Sequence, residues 1–143
     1  MKKIMCCLAL AAMAVFTSAA FAQEPILTSV EAKFDTATHN KNPDSSLDVY
    51  VKTSEGNEVA KSEGNEGRWN KNSTHTITLR VEGNETKGAV ENGSIALTFH
   101  PHGADKWEFS YKVTLNFSDG SVIRKEFNGC VLTQHDPNRT DSL

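Results

Sequence analysis

The sequence is poor in the residues that cross-link small domains. Its 143 residues include three cysteines and four prolines. Cys6 and Cys7 lie in an apolar N-terminal stretch, which leaves Cys130 as the one cysteine in the rest of the chain. A single cysteine forms no internal disulfide, so a hydrophobic core must hold the domain together. We expect Cys130 to be a small buried hydrophobe, with an intermolecular disulfide as the alternative.

Helical periodicity, a second long apolar run and an excess of positive charge are also absent. Beyond the N-terminal stretch no apolar segment is long enough to span a membrane, so we expect no transmembrane segment. Fifteen Lys and Arg residues against 18 Asp and Glu residues give a net charge of −3. Nucleic acids and anionic lipid surfaces require clusters of positive charge, so this balance argues against both as partners.

The N-terminus has the pattern of an export signal. Two lysines precede an apolar run at residues 4–16, and Ala20-x-Ala22 follows as a small-residue cleavage pattern. We therefore predict a bacterial signal peptide over residues 1–22 and a mature protein that is periplasmic or secreted. The remaining chain of about 120 residues is long enough for one domain that buries about two thirds of its unfolded surface. We assign residues 23–133 to that domain.

Almost every strong pattern in the remaining sequence has a period of two. The clearest is Trp107 to Phe117, in which a fully apolar face alternates with a fully polar one. Similar alternation predicts further strands at residues 26–34, 47–52, 76–81, 95–99 and 121–127. Between the Trp107–Phe117 strand and the strand at residues 121–127, Asp119-Gly120 predicts a two-residue type I′ hairpin turn, which requires positive φ at both residues.

These patterns predict an all-β fold, an antiparallel two-sheet β-sandwich of about seven to eight strands. Val59-Ala60 is counted as a short edge strand. If every strand reverses direction, the loops at residues 35–46, 62–73 and 100–106 lie at one end of the sandwich. Residues 134–143 have no apolar residue before Leu143 and are predicted to form a flexible tail.

Oxygen-bearing side chains in these loops are candidate metal ligands. Ca²⁺ takes about six to eight oxygen ligands in a flexible geometry. We predict that four residues hold such an ion: Asp35, Asn42, Asp44 and Asp105. The alternative is a set of plain loops, because Asp and Asn satisfy turn backbones by themselves. A zinc site at His100 and His102 has less support, because two imidazoles need at least one further ligand, such as His39 or Asp105.

Trp69 lies in a polar stretch, "NEGRWNKN", and suggests a second kind of site. An exposed tryptophan beside Arg68 is suited to stacking on a sugar, and we group both with His102 as predicted ligand-binding residues. The alternative is that the ring anchors its loop on the end of the core. A small secreted hydrolase is a weaker alternative, because the chain has no Gly-x-Ser-x-Gly motif and no histidine nearer to Cys130 than His135.

The segments "TSVEAKFDTATHNKNPDSSLDVYVKT" and "FHPHGADKWEFSYKVTLNFSDGSVIRKEFNG" resemble small C2-like or PLAT-like β-sandwich domains. The likeness covers most of residues 26–133, and its most distinctive part is the approach Gly103-x-Asp105-x-Trp107 to the long strand. The resemblance implies a non-catalytic domain that binds calcium, lipid or protein through loops at one end, and it places Asp35, Asp44 and Asp105 on those loops. The sequence departs from the type at residues 43–45, Pro-Asp-Ser, where an Asp-rich calcium loop is expected.

The sequence therefore predicts an exported binding module that catalyses no reaction. We expect Ca²⁺ to order the loops at residues 35–46 and 100–106, with a protein, a glycan or a lipid surface as the partner. The alternatives are a carbohydrate-binding module that uses Trp69, a small hydrolase, and a domain that binds a protein partner through a sheet edge.

Overall fold

The structure is a computed structural model and describes residues 22–143. The predicted signal peptide, with Cys6 and Cys7, lies outside the described residues except for Ala22. The fold is all-β, with eight antiparallel strands and one helical turn. Their bounds are β1 (Leu27–Thr36), β2 (Ser46–Lys52), β3 (Glu58–Asn65), β4 (Thr74–Val81), α1 (Lys87–Val90), β5 (Ser94–His100), β6 (Lys106–Phe117), β7 (Val122–Thr133) and β8 (Asn138–Ser142). Within residues 22–143, no helix has both the length and the apolar composition needed to cross a membrane.

The strands form one continuous sheet in the order β7-β6-β1-β4-β3-β2-β5-β8. Only two residue pairs, Ala60 with Val81 and Lys61 with Arg80, join β3 to β4, so the sheet consists of two four-strand runs with a narrow connection. The sheet curls until its edge strands β7 and β8 come into contact. Near this closure the Tyr111 hydroxyl on β6 donates a hydrogen bond to Asp141 Oδ2 on β8 at 2.6 Å. The eight antiparallel strands confirm the predicted all-β class, whereas a division into two separate sheets is not confirmed.

The core fills the inside of this curled sheet. On β6 the apolar side chains from Trp107 to Phe117 are buried at every second residue, as the alternation predicts. Phe34 on β1 packs against four aromatic rings, with centroid separations between 5.4 and 5.9 Å. Cys130 is 1% exposed, which confirms its prediction as a small buried hydrophobe. Burial raises the pKa of its thiol.

The last ten residues are not a flexible tail. Residues 138–142 form β8, which pairs with β5 through the register Leu97 to Arg139, and Leu143 is buried. The prediction failed because β8 directs charged side chains, Arg139 and Asp141, toward the closure of the sheet, so the strand has no apolar alternation. Arg139 Nε donates to Asp141 Oδ2 at 2.5 Å, which lets the two charges share this partly buried position.

Two local expectations are corrected as well. Val59 and Ala60 belong to β3, which is not an edge strand but lies between β2 and β4. The predicted hairpin after β6 is present, but its turn is not of type I′, because Gly120 has φ +82° while Asp119 does not have positive φ. Ser121 pairs with Phe117 across a three-residue loop that ends in the left-handed glycine.

Candidate functional site

Three loops meet at one end of the sheet, as the alternation of strand direction predicts. They are the β1–β2 loop (residues 37–45), the β3–β4 loop (66–73) and the β5–β6 loop (101–105). The first two are joined by a pair of backbone hydrogen bonds between Lys41 and Trp69, each 3.1 Å long. The first and third are joined through Asp105, which accepts a hydrogen bond from the Asn42 backbone N–H at 3.0 Å.

Lys41 lies at the centre of this loop end and is 0% exposed. Its Nζ donates to the backbone oxygens of Ser45 at 2.5 Å and Gly67 at 2.7 Å, so one side chain connects two loops. The ammonium group also lies 5.1 Å from the centroid of the Trp69 ring, within the range of a cation–π interaction. Burial lowers the pKa of Lys41 to about 8, while the negative charges of Asp105 and Glu66 act in the opposite direction.

Trp69 is 5% exposed and belongs to the aromatic core. Its ring stacks on His75 with centroids 4.8 Å apart and meets Trp107 edge-to-face at 5.1 Å. Burial lowers the pKa of His75, and the charge of Lys41 acts in the same direction. The prediction that Trp69 offers an exposed ring to a sugar is therefore wrong. The alternative prediction, a loop anchor at the end of the core, is confirmed.

Asp105 and Ser45 form a second buried link between loops. Ser45 is 0% exposed and donates from Oγ to Asp105 Oδ2 at 2.7 Å. Ser45 Oγ in turn accepts a hydrogen bond from the His102 backbone N–H at 2.9 Å. Asp105 is 6% exposed, and a carboxylate so deeply buried needs hydrogen-bond donors in place of water. The Asn42 N–H and Ser45 Oγ supply them, and Lys41 and Asp105 attract each other electrostatically.

An open cleft of about 420 Å³ lies above these links. We call it the loop-end cleft, and it is lined by Thr38 to Asn40, Asn42, Lys71 and Ala104 to Lys106. Small-molecule sites usually have volumes of about 300 to 1,000 Å³, so the cleft is large enough for a ligand. The lining is polar, and its residues come from all three loops.

One rim of the cleft carries a compact charged group around Glu108. Lys106 Nζ lies 2.6 Å from Glu108 Oε1, and His39 Nδ1 lies 3.1 Å from Glu108 Oε2. Thr38 Oγ1 also donates to Glu108 Oε2. Hydrogen bonds from Lys106, Thr38 and His39 lower the pKa of Glu108 to about 2, so this carboxylate stays ionised. These contacts hold His39 and Lys106 in place beside the cleft.

The predicted calcium ligands are divided between different places. Asn42 and Asp105 line the loop-end cleft. Asp35 faces the outer side of the sheet, where Oδ1 accepts from Thr74 Oγ1 at 2.5 Å and the carboxylate lines a separate depression of about 60 Å³. Asp44 is exposed and lines neither. In the described part of the chain, no three His, Cys, Asp or Glu side chains are grouped so as to hold a metal ion. Calcium binding stays a prediction without support from this arrangement.

The remaining candidates lie outside the cleft. Arg68 and His102 are exposed, but neither side chain lines it. His100 Nε2 lies 2.7 Å from Asp48 Oδ2 on the outer face of the sheet, away from His39, so the structure does not assemble the zinc ligands considered above. The histidine pair belongs to the end of β5 and the loop that follows it.

A scan against protein-family models found no family that matches the chain. A search of curated proteins found no match either.

Several lining residues were not singled out by the sequence patterns. Asn40, Lys71 and Lys106 are polar residues in polar loops, and nothing in their spacing distinguishes them from their neighbours. Their position follows from the loop parity, which correctly brought the three loops to one end. The buried Lys41 left no signal at all, because lysine in a polar loop is ordinarily at the surface.

Proposed function

We propose that this protein is an exported, non-catalytic binding module of the C2-like or PLAT-like β-sandwich type, and that its ligand occupies the loop-end cleft. Two four-strand runs joined by only two residue pairs are compatible with two packed sheets, and this supports the sandwich type. Export is supported by the sequence pattern of residues 1–22.

The observation that carries the proposal is the buried linkage beneath the cleft. Lys41 joins the β1–β2 loop to the β3–β4 loop, and Asp105 joins the β1–β2 loop to the β5–β6 loop. Loops held by buried charged groups lose little further conformational freedom when a ligand binds, and such preorganisation favours affinity. A binding role is favoured over glycoside hydrolysis, which uses two carboxylates. Among residues 22–143, Asp105 is the one carboxylate that lines the cleft, and Glu108 on its rim is already engaged by Lys106, Thr38 and His39.

Amide NMR spectra of the protein test the proposal during titration with four classes of probe: CaCl₂, neutral oligosaccharides, anionic vesicles and a mixed peptide library. We expect at least one class to shift the amide signals of residues 38–42 and 104–106. The double variant N42A/K71A should weaken that binding roughly tenfold or more, since it removes two polar contacts.

The matched control is K112A/E126A, which changes a lysine and a glutamate paired on the outer face of β6 and β7. This variant should bind like the wild type. Shifts confined to the free edges of β7 or β8, or chemical turnover of a probe, would contradict the proposal, as would the absence of any shift at the cleft.

A further inference from the structure

Asp105 has one engaged carboxylate oxygen and one free one. Oδ2 accepts from the Asn42 N–H at 3.0 Å and from Ser45 Oγ at 2.7 Å. No group among residues 22–143 donates to Oδ1. Every buried side-chain nitrogen or oxygen in the described chain has a hydrogen-bond partner, so Oδ1 must be open to solvent. Asp105 lines the loop-end cleft, and Oδ1 is the carboxylate oxygen that remains available to a donor in it.

A carboxylate oxygen in this position requires a hydrogen-bond donor. Asp105 is only 6% exposed, and a charged acceptor that loses its remaining water without gaining a partner is costly. Water can donate in the empty cleft, and a ligand that displaces the water must bring its own donor. The bound ligand thus has at least one O–H or N–H group directed at Asp105.

The other lining side chains require acceptors from the same ligand. Lys71 and Lys106 offer ammonium groups, which donate and never accept. Asn40 Oδ1 accepts from the Lys71 backbone N–H at 2.5 Å, so its amide nitrogen remains as a donor. A free metal cation would face the Lys71 ammonium here, since Glu108 already compensates Lys106, and a simple anion would face the Asp105 carboxylate. A hydroxyl group both donates and accepts, so a ligand with several hydroxyls satisfies the whole lining.

We propose that the loop-end cleft binds a saccharide, whose hydroxyl groups donate to Asp105 Oδ1 and accept from Lys71 and Asn40. This proposal rests on the proposed function, because it names the ligand class of the same cleft. In this proposal the sugar is not stacked on Trp69, which is buried, but is held by hydrogen bonds from the polar side chains of the cleft. Trp69 and Lys41 then act from below, by holding the loops that carry the binding residues.

The test is an amide NMR titration of the wild-type protein with maltotriose, cellotriose, chitotriose and galactose, with glycine and inorganic phosphate as the competing chemistries. We expect a saccharide to shift the signals of Asn40, Asn42 and Ala104. Asp105→Asn keeps an oxygen for the Asn42 and Ser45 donors and replaces the free acceptor with an N–H donor. It should raise the saccharide Kd about 10- to 100-fold, the factor for a lost hydrogen bond to a charged group.

Asp44→Asn is the matched control, because Asp44 is an exposed carboxylate of the β1–β2 loop, at the same end of the sheet, and does not line the cleft. It should leave the Kd unchanged. Thermal unfolding of each variant checks that it is folded. If Asp105→Asn does not fold, the wild-type titration alone still shows whether a saccharide binds the cleft. Cleft shifts with glycine or phosphate but with no sugar would overturn the saccharide proposal and leave the proposed function standing. If no saccharide shifts the cleft signals, the saccharide proposal is overturned; if calcium, vesicles and peptides also fail to shift them, the proposed function is overturned as well.

Discussion

Lys41 makes the stability of this protein depend on pH in an unusual direction. Its pKa is about 8 in the folded protein against an ordinary value of 10.5. Between these two values the unfolded chain binds more protons than the folded one, so the free energy of unfolding rises with pH. At about 1.4 kcal/mol for each pH unit, the full difference is about 3 kcal/mol. This stabilisation is complete above pH 10.5 and is lost as the pH falls through about 8.

Other groups titrate in the same range, and the variant Lys41→Met separates them from Lys41. Burial raises the pKa values of Cys130 and Tyr111, and both therefore destabilise the folded state as the pH rises through their unfolded values. These contributions are common to wild type and variant. The difference between the two unfolding free energies should therefore increase by about 3 kcal/mol from pH 7 to pH 10.5.

Urea unfolding followed by tryptophan fluorescence measures this difference, because Trp69 and Trp107 are both buried. Lys112→Met, at an exposed lysine on β6, controls for the removal of one positive charge. If the difference in unfolding free energy between wild type and Lys41→Met does not change from pH 7 to 10.5, the pKa of Lys41 is not lowered in the folded protein. A difference that falls would mean that the two carbonyl partners and Asp105 stabilise the ammonium form more than burial disfavours it.

Three further predictions follow from the loop end and the sheet edge. Trp69→Ala should lower the unfolding free energy measured in urea by about 3 to 5 kcal/mol, as removal of a buried aromatic ring does. A loss below about 1 kcal/mol would mean that the ring does not anchor the β3–β4 loop. Truncation after Gln134 removes β8 and uncovers the backbone edge of β5. We therefore expect a lower thermal midpoint, and self-association that light scattering detects. A truncated protein that remains monomeric with an unchanged midpoint would contradict this prediction. Thermal midpoints in CaCl₂ and in EDTA should coincide, because Asp105 is the one carboxylate among residues 22–143 that lines the cleft, and its Oδ2 already accepts two protein hydrogen bonds. A midpoint raised by Ca²⁺ would instead show that an ion binds the folded state.

The strands that bury an apolar face could be predicted from the sequence, whereas β8, which buries none, could not. Trp107 to Phe117 shows period-two alternation because burial of every second side chain drives its position in the sheet. β8 is held instead by backbone pairing with β5 and by the Tyr111 hydroxyl of β6, which donates to Asp141, while Arg139 compensates the Asp141 charge within the strand. Such a strand has no hydrophobic pattern to detect.

The loop end could be predicted as a place but not as an arrangement of side chains. Strand parity brought the three loops together, yet it carries no information on which polar residue turns inward. Lys41 and Asp105 are buried with hydrogen-bond partners supplied by other loop residues, and the partners Gly67 and Asn42 lie far from them in the chain. The same contacts bury Trp69, whose polar neighbours in sequence had suggested exposure.

The position of β1 has a consequence for the order in which the chain folds. β1 lies inside the sheet, where Val30 pairs with Leu79 on β4 and with Leu115 on β6. Both neighbours come from much later in the chain, so β1 has no partner while only the first half of the protein has been synthesised. The chain loses conformational entropy when it closes the long loops between these distant pairs. Folds with many such pairs therefore form slowly. β1 is thus expected to stay unpaired until β4 has been synthesised, and to gain its second neighbour only when β6 follows.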